Sequence, residues 1–548
     1  MKTTIFILAI ITSNLLAQVP DTAWIAKYSG IDSIDNRPVK LMVDQSNNII
    51  VTGIQYTNSG RDDIVTLKYS RDGTLLWSNV YDGPAHKTDE PTHLVLDAYG
   101  YIYVAAQSRG IIGFSDCAGI VILKYHPTGE LAWAKRFDEQ TGNVVYVQGL
   151  SVDSKRNIIC TTKLIEGPTL TMNELITRKL YPPGDLAWEE HLPIHKWSWC
   201  NGINSDDFGN IFLGGWLWDG NGNSDYEFFG LLKYDANGDL QWLSSFRDSA
   251  ARDAWSEVFT KDENGKFIAA GETEKITGEE VFATVKYDED GNVIWYREFS
   301  PGFNLEVFDI TTDNLGNVLW LAEAENDSSY EYENIITKYL VNGDSSWVKR
   351  FPNNAREPIA LTTDDDGSVY ILSNAKLDQS VEGLLLQKLD SEGKTVWTHL
   401  GFEGMSEPAI IAIDKDNNII VCGSYYYESG KSLIKTIKFS ESGVSSVNLN
   451  SKDVIDKKFT LEQNYPNPFN PTTRIKYTIP SVEREYILPV QLKVYDVLGR
   501  EIATLVNANQ KPGKYEVEFN AANLSAGVYL YQLKAGSFVK TKKMILVK

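Results

Sequence analysis

The stretch Pro38–Tyr81, PVKLMVDQSNNIIVTGIQYTNSGRDDIVTLKYSRDGTLLWSNVY, decides the fold because the chain repeats it, with changes, to about residue 450. Two landmarks recur in the copies. One is an Asp that opens a tight turn rich in Asn and Gly, here Asp44. The other is a Lys followed five residues later by Gly and nine residues later by Trp, here Lys68, Gly73 and Trp77.

Counting the landmarks gives the number of repeats and their period. The Asp landmarks lie 50 to 56 residues apart, at Asp44, Asp97, Asp153, Asp206, Asp262, Asp313, Asp364 and Asp414. The Lys/Trp landmarks are Lys68/Trp77, Lys124/Trp133, Lys179/Trp188, Lys233/Trp242, Lys286/Trp295, Lys338/Trp347 and Lys388/Trp397. An eighth Lys, Lys438, is followed by Val447 where the Trp is expected. A period of this length indicates one supersecondary unit per repeat.

Each repeat predicts four antiparallel strands. Short β-branched and aromatic runs, such as NNIIVTGI and DIVTLKYS, are separated by turns of Asn, Asp and Gly, which is the pattern of strands. A four-stranded sheet repeated around an axis is a β-propeller blade. The sequence therefore predicts an all-β fold with a β-propeller of four-stranded blades.

Trp24 predicts how the ring closes. It stands 53 residues before Trp77 but has no repeat strands in front of it. We expect its strand to be the fourth strand of the last blade, hydrogen-bonded to the third strand near Ile434–Phe439. Such closure leaves no open sheet edge and gives eight blades.

The two ends of the chain add further segments. Residues 1–17 combine a Lys, an apolar run and a small final residue, which predicts a secretory signal peptide. We place the propeller at 21–450, a charged linker at 451–458 and a C-terminal domain at 459–548. No other segment reaches membrane-spanning length, so we expect a mature chain without a transmembrane segment. The net charge of −21 argues against nucleic acid as a partner.

The four cysteines, Cys117, Cys160, Cys200 and Cys422, follow no zinc-binding or disulfide-rich spacing. Cys160 and Cys422 fall in apolar second strands, where buried thiols are expected. A disulfide between Cys160 and Cys200 is the less favoured alternative.

The loops divide between two faces of the propeller. Loops between second and third strands, and between fourth and first strands, are long and differ in every repeat. Both loop classes open on the same face, so we place any functional surface there.

The residue seven before each Asp landmark opens the innermost strand and gives a candidate ligand site. These residues are Arg37, Glu90, Tyr146, Trp199, Trp255, Glu306, Glu357 and Glu407. Tyr146, Trp199 and Trp255 would form an aromatic arc, and Glu306, Glu357 and Glu407 an acidic arc, around a pocket for a sugar or a cation. The alternative, which we favour at this stage, is that Glu-Pro only starts strands and the aromatics pack between blades.

A second candidate is a Ca²⁺ site in the fourth repeat. Asp219, Asn221, Asn223 and Asp225 occupy alternate positions of DGNGNSDYE, a spacing that suits Ca²⁺. Gly230 stands where a bidentate Glu is expected, so a polar glycine-rich loop is the favoured alternative. We expect no other cofactor.

The sequence contains no nucleophile elbow, phosphate loop, zincin motif or dinucleotide fingerprint. The prediction is therefore a non-catalytic binding or interaction protein with a glycan or protein ligand. The alternatives are a glycosidase or lyase acting on extracellular polysaccharide, and a structural surface-layer component.

With its KYxxxGxxxW core, the repeat over residues 22–447 resembles the SBBP-type β-propeller repeat of secreted bacterial proteins. That family is usually described as seven-bladed, so the resemblance leaves seven blades as the alternative to the eight counted.

After residue 458, a segment dense in Pro and Asn precedes short alternating strands, which predicts a small Ig-like β-sandwich. This region resembles the type A C-terminal sorting domain of the type IX secretion system. The matching residues include Tyr465, Pro466, Asn467, Pro468, Phe469, Asn470, Pro471, Gly499, Gly527, Lys543 and Lys548. The resemblance implies recognition by the type IX machinery, export through the periplasm and outer membrane, and an extracellular or cell-surface location.

Overall fold

The computed structural model describes most of the chain from residue 20 onward. The described residues are 20–30, 33–57, 61–109, 118–139, 143–166, 172–194, 198–217, 228–300, 303–325, 332–351, 355–376, 382–402, 404–426, 431–440, 460–461, 463–479, 488–496, 500–510, 513–535 and 538–547. These residues contain no helix. The chain divides into two compact units, Met1–Gly443 and Val444–Lys548. The predicted signal peptide and the linker 451–458 lie outside the described residues.

The first unit consists of four-stranded antiparallel sheets that follow the repeats. Blade 1 is β2 (Ser33–Val43), β3 (Ile49–Thr57), β4 (Asp62–Tyr69) and β5 (Leu75–Tyr81). Blade 2 is β6 (Asp89–Leu96), β7 (Ile102–Arg109), β8 (Ala118–Tyr125) and β9 (Leu131–Asp138). Blade 3 is β10 (Val144–Val152), β11 (Ile158–Glu166), β12 (Met172–Leu180) and β13 (Leu186–Ile194). Blade 4 is β14 (Trp199–Ser205), β15 (Ile211–Leu217), β16 (Phe228–Tyr234) and β17 (Leu240–Phe246).

The remaining blades have the same order. Blade 5 is β18 (Ala251–Lys261), β19 (Phe267–Lys275), β20 (Glu280–Tyr287) and β21 (Val293–Phe299). Blade 6 is β22 (Phe303–Thr312), β23 (Val318–Glu325), β24 (Tyr332–Tyr339) and β25 (Ser345–Phe351). Blade 7 is β26 (Ala355–Thr363), β27 (Val369–Lys376), β28 (Glu382–Leu389) and β29 (Thr395–Gly401). Blade 8 is β30 (Met405–Ile413), β31 (Ile419–Tyr426), β32 (Ser432–Ser440) and β1 (Asp21–Tyr28).

The first strands of the blades form a closed inner ring. Each first strand packs against the first strand of the next blade, and β30 of blade 8 packs against β2 of blade 1. The described part of the first unit thus contains eight four-stranded sheets. The count of eight blades is confirmed, and the alternative of seven is wrong.

The ring closes between the two ends of the repeat region. β1 pairs antiparallel with β32, with Trp24 opposite Lys438 and Tyr28 opposite Ile434. A hydrogen bond of 2.8 Å from the Asn36 backbone to Ser432 Oγ also links blades 1 and 8. The predicted closure is therefore confirmed, since Trp24 takes the cross-strand place that Trp77 takes opposite Lys68 in blade 1.

The Asp and Lys landmarks meet in buried ion pairs. Asp44 Oδ1 accepts the backbone N–H groups of Ser46 and Asn48 at 2.8 and 2.9 Å, which shapes the turn. Its other oxygen lies 2.9 Å from the Lys68 ammonium. Within the described residues, equivalent pairs join Asp153/Lys179, Asp262/Lys286, Asp313/Lys338, Asp364/Lys388 and Asp414/Lys438 at 2.6 to 3.6 Å.

The Trp landmark joins one blade to the next. The Trp77 indole N–H donates to the Pro127 carbonyl of blade 2 at 3.1 Å. Gly129 has φ of 99°, and a Cβ there would lie 2.6 Å from the Trp77 ring, so only glycine suits this turn. The same donor contact recurs for Trp24/Arg71, Trp133/Pro182, Trp188/Ala236, Trp295/Val341 and Trp347/Ser391.

The cysteines are structural. Cys160, Cys200 and Cys422 are free thiols and are buried. The disulfide alternative for Cys160 and Cys200 is therefore wrong, and the expected buried thiols of the second strands are observed. Cys117 lies outside the described residues.

The second unit is a two-sheet structure. Its strands are β33 (Thr460–Leu461), β34 (Thr472–Ile479), β35 (Leu488–Tyr495), β36 (Glu501–Gln510), β37 (Gly513–Asn520), β38 (Gly527–Ala535) and β39 (Phe538–Leu546). One sheet has the order β33-β34-β37 and the other β36-β35-β38-β39. Ile475 and Phe519 of the first sheet share a core with Leu492 and Tyr531 of the second. The predicted β-sandwich is thus observed.

Removing the closure strand should open the ring. Deleting residues 21–30 leaves β32 as an unpaired edge, so we expect aggregation in size-exclusion chromatography. Trp24→Ala, which loses the 2.9 Å bond to the Arg71 carbonyl, should lower the free energy of unfolding by about 1–3 kcal/mol. Ile25→Ala is the control because Ile25 is 44% exposed on the same strand. A monomeric deletion variant with unchanged melting would contradict this role of β1.

Candidate functional site

The eight candidate ring positions lie at the same place in the inner strands. Six of them keep one cross-strand register: Arg37/Ile54, Glu90/Gln107, Tyr146/Lys163, Trp199/Trp216, Trp255/Glu272 and Glu306/Glu323. In blades 7 and 8 the register differs by one residue: the corresponding pairs are Arg356/Asn374, with Glu357 at a register shift, and Ser406/Ser424. In blade 8 the pair belongs to the residue before Glu407, whose side chain lies outside the described residues. The count from the Asp landmarks therefore selects one layer of the ring.

The aromatic arc is partly an inter-blade contact. The Tyr146 and Trp199 rings, from blades 3 and 4, lie 5.6 Å apart and are both half-buried. The buried Lys163 ammonium lies 4.7 Å from the centre of the Trp199 ring and donates to the Ser198 carbonyl at 2.9 Å. Packing between blades thus accounts for part of this pair, while both side chains remain partly exposed. Trp255 is half-buried in the next blade.

Glutamates beside Trp255 extend the acidic arc. Burial, together with Glu257, Glu280 and Glu306, raises the pKa of Glu272 to about 8. Burial and Glu306 raise the pKa of Glu257 to about 7, although Glu257 accepts the Val307 N–H at 2.8 Å. Burial is the larger cause of both shifts, and the charges of the neighbouring glutamates add to it.

The acidic arc continues into blades 6 and 7. Burial, with the charges of Glu357 and Glu306, raises the pKa of Glu323. Glu306 and Glu357 are both exposed. The structure therefore brings these two predicted residues into one electrostatic cluster, which Glu257, Glu272 and Glu323 complete.

A repeated β-bulge shapes the inner strands below this layer. In every described inner strand the pairing register shifts about five residues before the Asp landmark. Two of the polar bulged residues, Gln148 and Asn201, bond the next blade. Gln148 accepts the Cys200 N–H at 3.1 Å, and Asn201 donates to the Glu257 carbonyl at 3.0 Å. The bulges thus bring polar side chains to the channel wall.

Lys40 of blade 1 acts electrostatically on titratable groups of two other blades. Burial raises the pKa of Asp309, in blade 6, to about 6, against the opposing effects of the Leu361 and Ile310 N–H groups and of Lys40. Burial, followed by the charge of Lys40, lowers the pKa of His93, in blade 2, to about 4.

The sequence analysis missed Lys163, Trp216, Glu272 and Glu323. All four lie ten residues after an Asp landmark, so the same count applied to the second strand would have found them. The Ca²⁺ candidate of Asp219, Asn221, Asn223 and Asp225 lies outside the described residues and stays a prediction.

The sorting motif anchors the last strand of the second unit. Phe469 is buried, its N–H donates to the Ile545 carbonyl at 2.9 Å, and its carbonyl accepts the Val547 N–H at 2.9 Å. Asn467 Oδ1 accepts the Ile545 N–H at 2.9 Å. Lys543 is exposed on β39, which is an edge strand of its sheet. Gly527 opens β38, and Gly499 and Lys548 lie outside the described residues.

These features define a β-propeller protein with a C-terminal β-sandwich. Residues 463–548 match the family model described as "Secretion system C-terminal sorting domain". The second unit is therefore a type IX secretion sorting domain, and it directs export across the outer membrane to the cell surface or extracellular space. No helix in the described part of the chain is long and apolar enough to cross a membrane.

Solved structures resemble the chain distantly, and no curated protein matches it. Two structures of puromycin hydrolase share 11% and 12% identity and cover 71% and 75% of this chain, with TM-scores of 0.39 and 0.41. The chain spans 58% and 62% of their length. The β-propeller domain of the Trilobed protease from Pyrococcus furiosus shares 9% identity over 67% of this chain and 96% of that chain, with a TM-score of 0.40. The WD40 domain of SCAP from fission yeast shares 10% over 76% and 98%, with a TM-score of 0.39.

Neutralising Glu272 should stabilise the propeller at alkaline pH. The folded pKa of about 8 lies above the ordinary 4.5, so the Glu272 carboxyl increasingly destabilises the folded state as the pH rises from about 4.5 to about 8, and it does not do so below about 4.5. We expect Glu272→Gln to raise the melting temperature at pH 8.5 by about 1–3 °C and to leave it nearly unchanged at pH 4.5. The control is Glu263→Gln, at an exposed turn of the opposite face. Equal effects at both pH values would contradict the clustered charge.

Proposed function

We propose that the propeller is a non-catalytic binding module that acts outside the cell or at its surface. Its ligand would be an extracellular glycan or protein that docks at the loop face. The observation that supports this most directly is the layer that contains partly exposed Tyr146, Trp199 and Trp255, with Trp255 paired with Glu272 of the glutamate cluster.

The chemistry of this layer suits a sugar ring or an organic cation. Half-exposed aromatic rings offer flat apolar faces for stacking, and they also attract cations. The neighbouring glutamates add negative potential, which favours a ligand with amino or guanidinium groups. Lys163 already covers part of Trp199, so Trp255 has the more suitable position for direct stacking beside Glu272.

Aromatic truncations should separate binding from packing. A glycan array and a set of basic peptides, probed with the full chain, would identify a ligand for calorimetry. Trp199→Ala and Trp255→Ala should each weaken binding by about 1–2 kcal/mol, several-fold or more in Kd, with little change in melting temperature. Phe208→Ala is the control, because Phe208 is 79% exposed in a first-to-second-strand turn of the opposite face. A sharp fall in melting temperature for both Trp variants would mean that they serve blade packing.

The second candidate is a glycosidase or lyase on extracellular polysaccharide. The raised pKa values of Glu257 and Glu272, about 7 and 8, are those of carboxyls that can donate protons near neutral pH. Release of reducing or unsaturated ends from a polysaccharide, abolished in Glu272→Gln, would establish this function. If the unmodified chain and Glu272→Gln both bind the polysaccharide and neither cleaves it, the non-catalytic proposal is supported.

We further propose that the signal peptide directs the chain to the periplasm and that the sorting domain then passes it to the type IX machinery. The exposed Lys543 on edge strand β39 offers a surface for that recognition, and removal of the domain would follow export. The SBBP-type assignment of the repeat is part of the same proposal.

Loss of the sorting domain should stop export at the periplasm. Cells that express the chain without residues 459–548 should retain it in the periplasmic fraction. Antibody labelling of intact cells should then fall to background, whereas the full chain is labelled. Normal surface labelling of the truncated chain would contradict the role of this domain.

A further inference from the structure

Three aspartates converge where blade 1 passes to blade 2. Asp63 lies at the start of β4, Asp82 follows β5, and Asp89 opens β6, so all three are on the loop face. One carboxylate oxygen of each residue lies within 4.8 Å of those of the other two. The sequence landmarks do not select this cluster, because none of the three is at a repeated position.

Asp63 is the unusual member. It is 8% exposed, and its Oδ1 is buried without a hydrogen-bond partner. By contrast, Asp89 accepts the Gly83 N–H at 2.7 Å and the Ser108 hydroxyl, and Asp82 contacts His86 Nδ1 at 2.7 Å. A buried carboxylate oxygen without a partner is costly, so this atom indicates a missing ligand.

The backbone around Asp89 is fitted to hold its carboxylate in place. A Cβ on Gly83 would lie 2.8 Å from each Asp89 oxygen, so the glycine allows the close approach. The Arg136 side chain donates to Ser108 and to Asp138. Asp89 is thus held directly by neutral donors, and the Arg136 cation is linked to it through the Ser108 hydroxyl.

The electrostatics also indicate a missing positive charge. The three carboxylates lie close enough to repel one another, and within the described residues the ion-pair contact that they make is that of Asp82 with His86. The landmark aspartates differ, since described residues such as Asp44 have a buried Lys partner.

We propose that Asp63, Asp82 and Asp89 bind a divalent cation, Ca²⁺, that joins blade 1 to blade 2. Ca²⁺ prefers carboxylate and other oxygen ligands at about 2.3–2.6 Å, so two ligand oxygens of one ion can lie up to about 4.8 Å apart. The three aspartates supply the charge, and water completes the coordination. This inference is independent of the proposed ligand at the ring and of the Asp219–Asp225 loop.

Calorimetric titration of the EDTA-treated full chain with CaCl₂ tests the proposal. We expect a site with Kd on the order of 10⁻⁴–10⁻³ M, as in extracellular modules. Saturating Ca²⁺ at about 5 mM should raise the melting temperature by about 1–3 °C over EDTA. Asp63→Asn should lower the number of Ca²⁺ ions bound per chain by one. It should also abolish the part of the Ca²⁺-dependent rise in melting temperature that this site supplies. Asp63→Asn is the main variant because its Oδ1 has no hydrogen bond to lose.

Two further variants make the result specific. Asp89→Asn should also lose the Ca²⁺ site. Asp72→Asn is the control: it makes the same change in charge, but Asp72 is exposed in a turn of the opposite face, so this variant should keep the site. Absence of Ca²⁺ binding to the unmodified chain would overturn the proposal. So would binding whose stoichiometry is unchanged in Asp63→Asn, because the ion would then lie elsewhere, for example in the Asp219–Asp225 loop.

Discussion

An ion pair between the first turn and the third strand of a blade stabilises six of the eight described blades. In blade 6, Lys338 lies 2.9 Å from Asp313 and also donates to the Ser391 carbonyl of blade 7 at 3.3 Å. Desolvation of two charges costs several kcal/mol. It is offset here because Asp313 also accepts the N–H groups of Leu315 and Asn317 at 3.0 Å. Loss of one partner would leave a buried charge unpaired, at a cost of about 3–5 kcal/mol.

The propeller could be predicted in detail from the sequence because its repeated residues are the ones that the joints between blades use. The Asp and Lys landmarks are ion-pair partners, and the Trp landmark is the donor to the next blade. Each joint needs the same side chains, so the blade number and the closure by Trp24 follow from counting. The bulges could not be predicted, because the bulged positions hold residue types as different as Val39 and Glu257.

The candidate site was predictable only in its inner layer. A count from the Asp landmarks selected Tyr146 and Trp199, which are in contact. It did not select Lys163 or Glu272, because the count was applied to the first strand alone, although both lie ten residues after an Asp landmark on the second strand. The Asp63 cluster was missed for another reason. Its members come from three strands and share no repeat position, so only the folded chain brings them together.

Closure by β1 also orders the assembly of the molecule in time. Asn36 and Ser432, which bond across the seam, are 396 residues apart in sequence. A chain that emerges from the ribosome with its N-terminus first presents β1 long before its partner β32 exists. Contacts at such separation form late. The ring can therefore close only after β32, which ends at Ser440, is available to pair with β1.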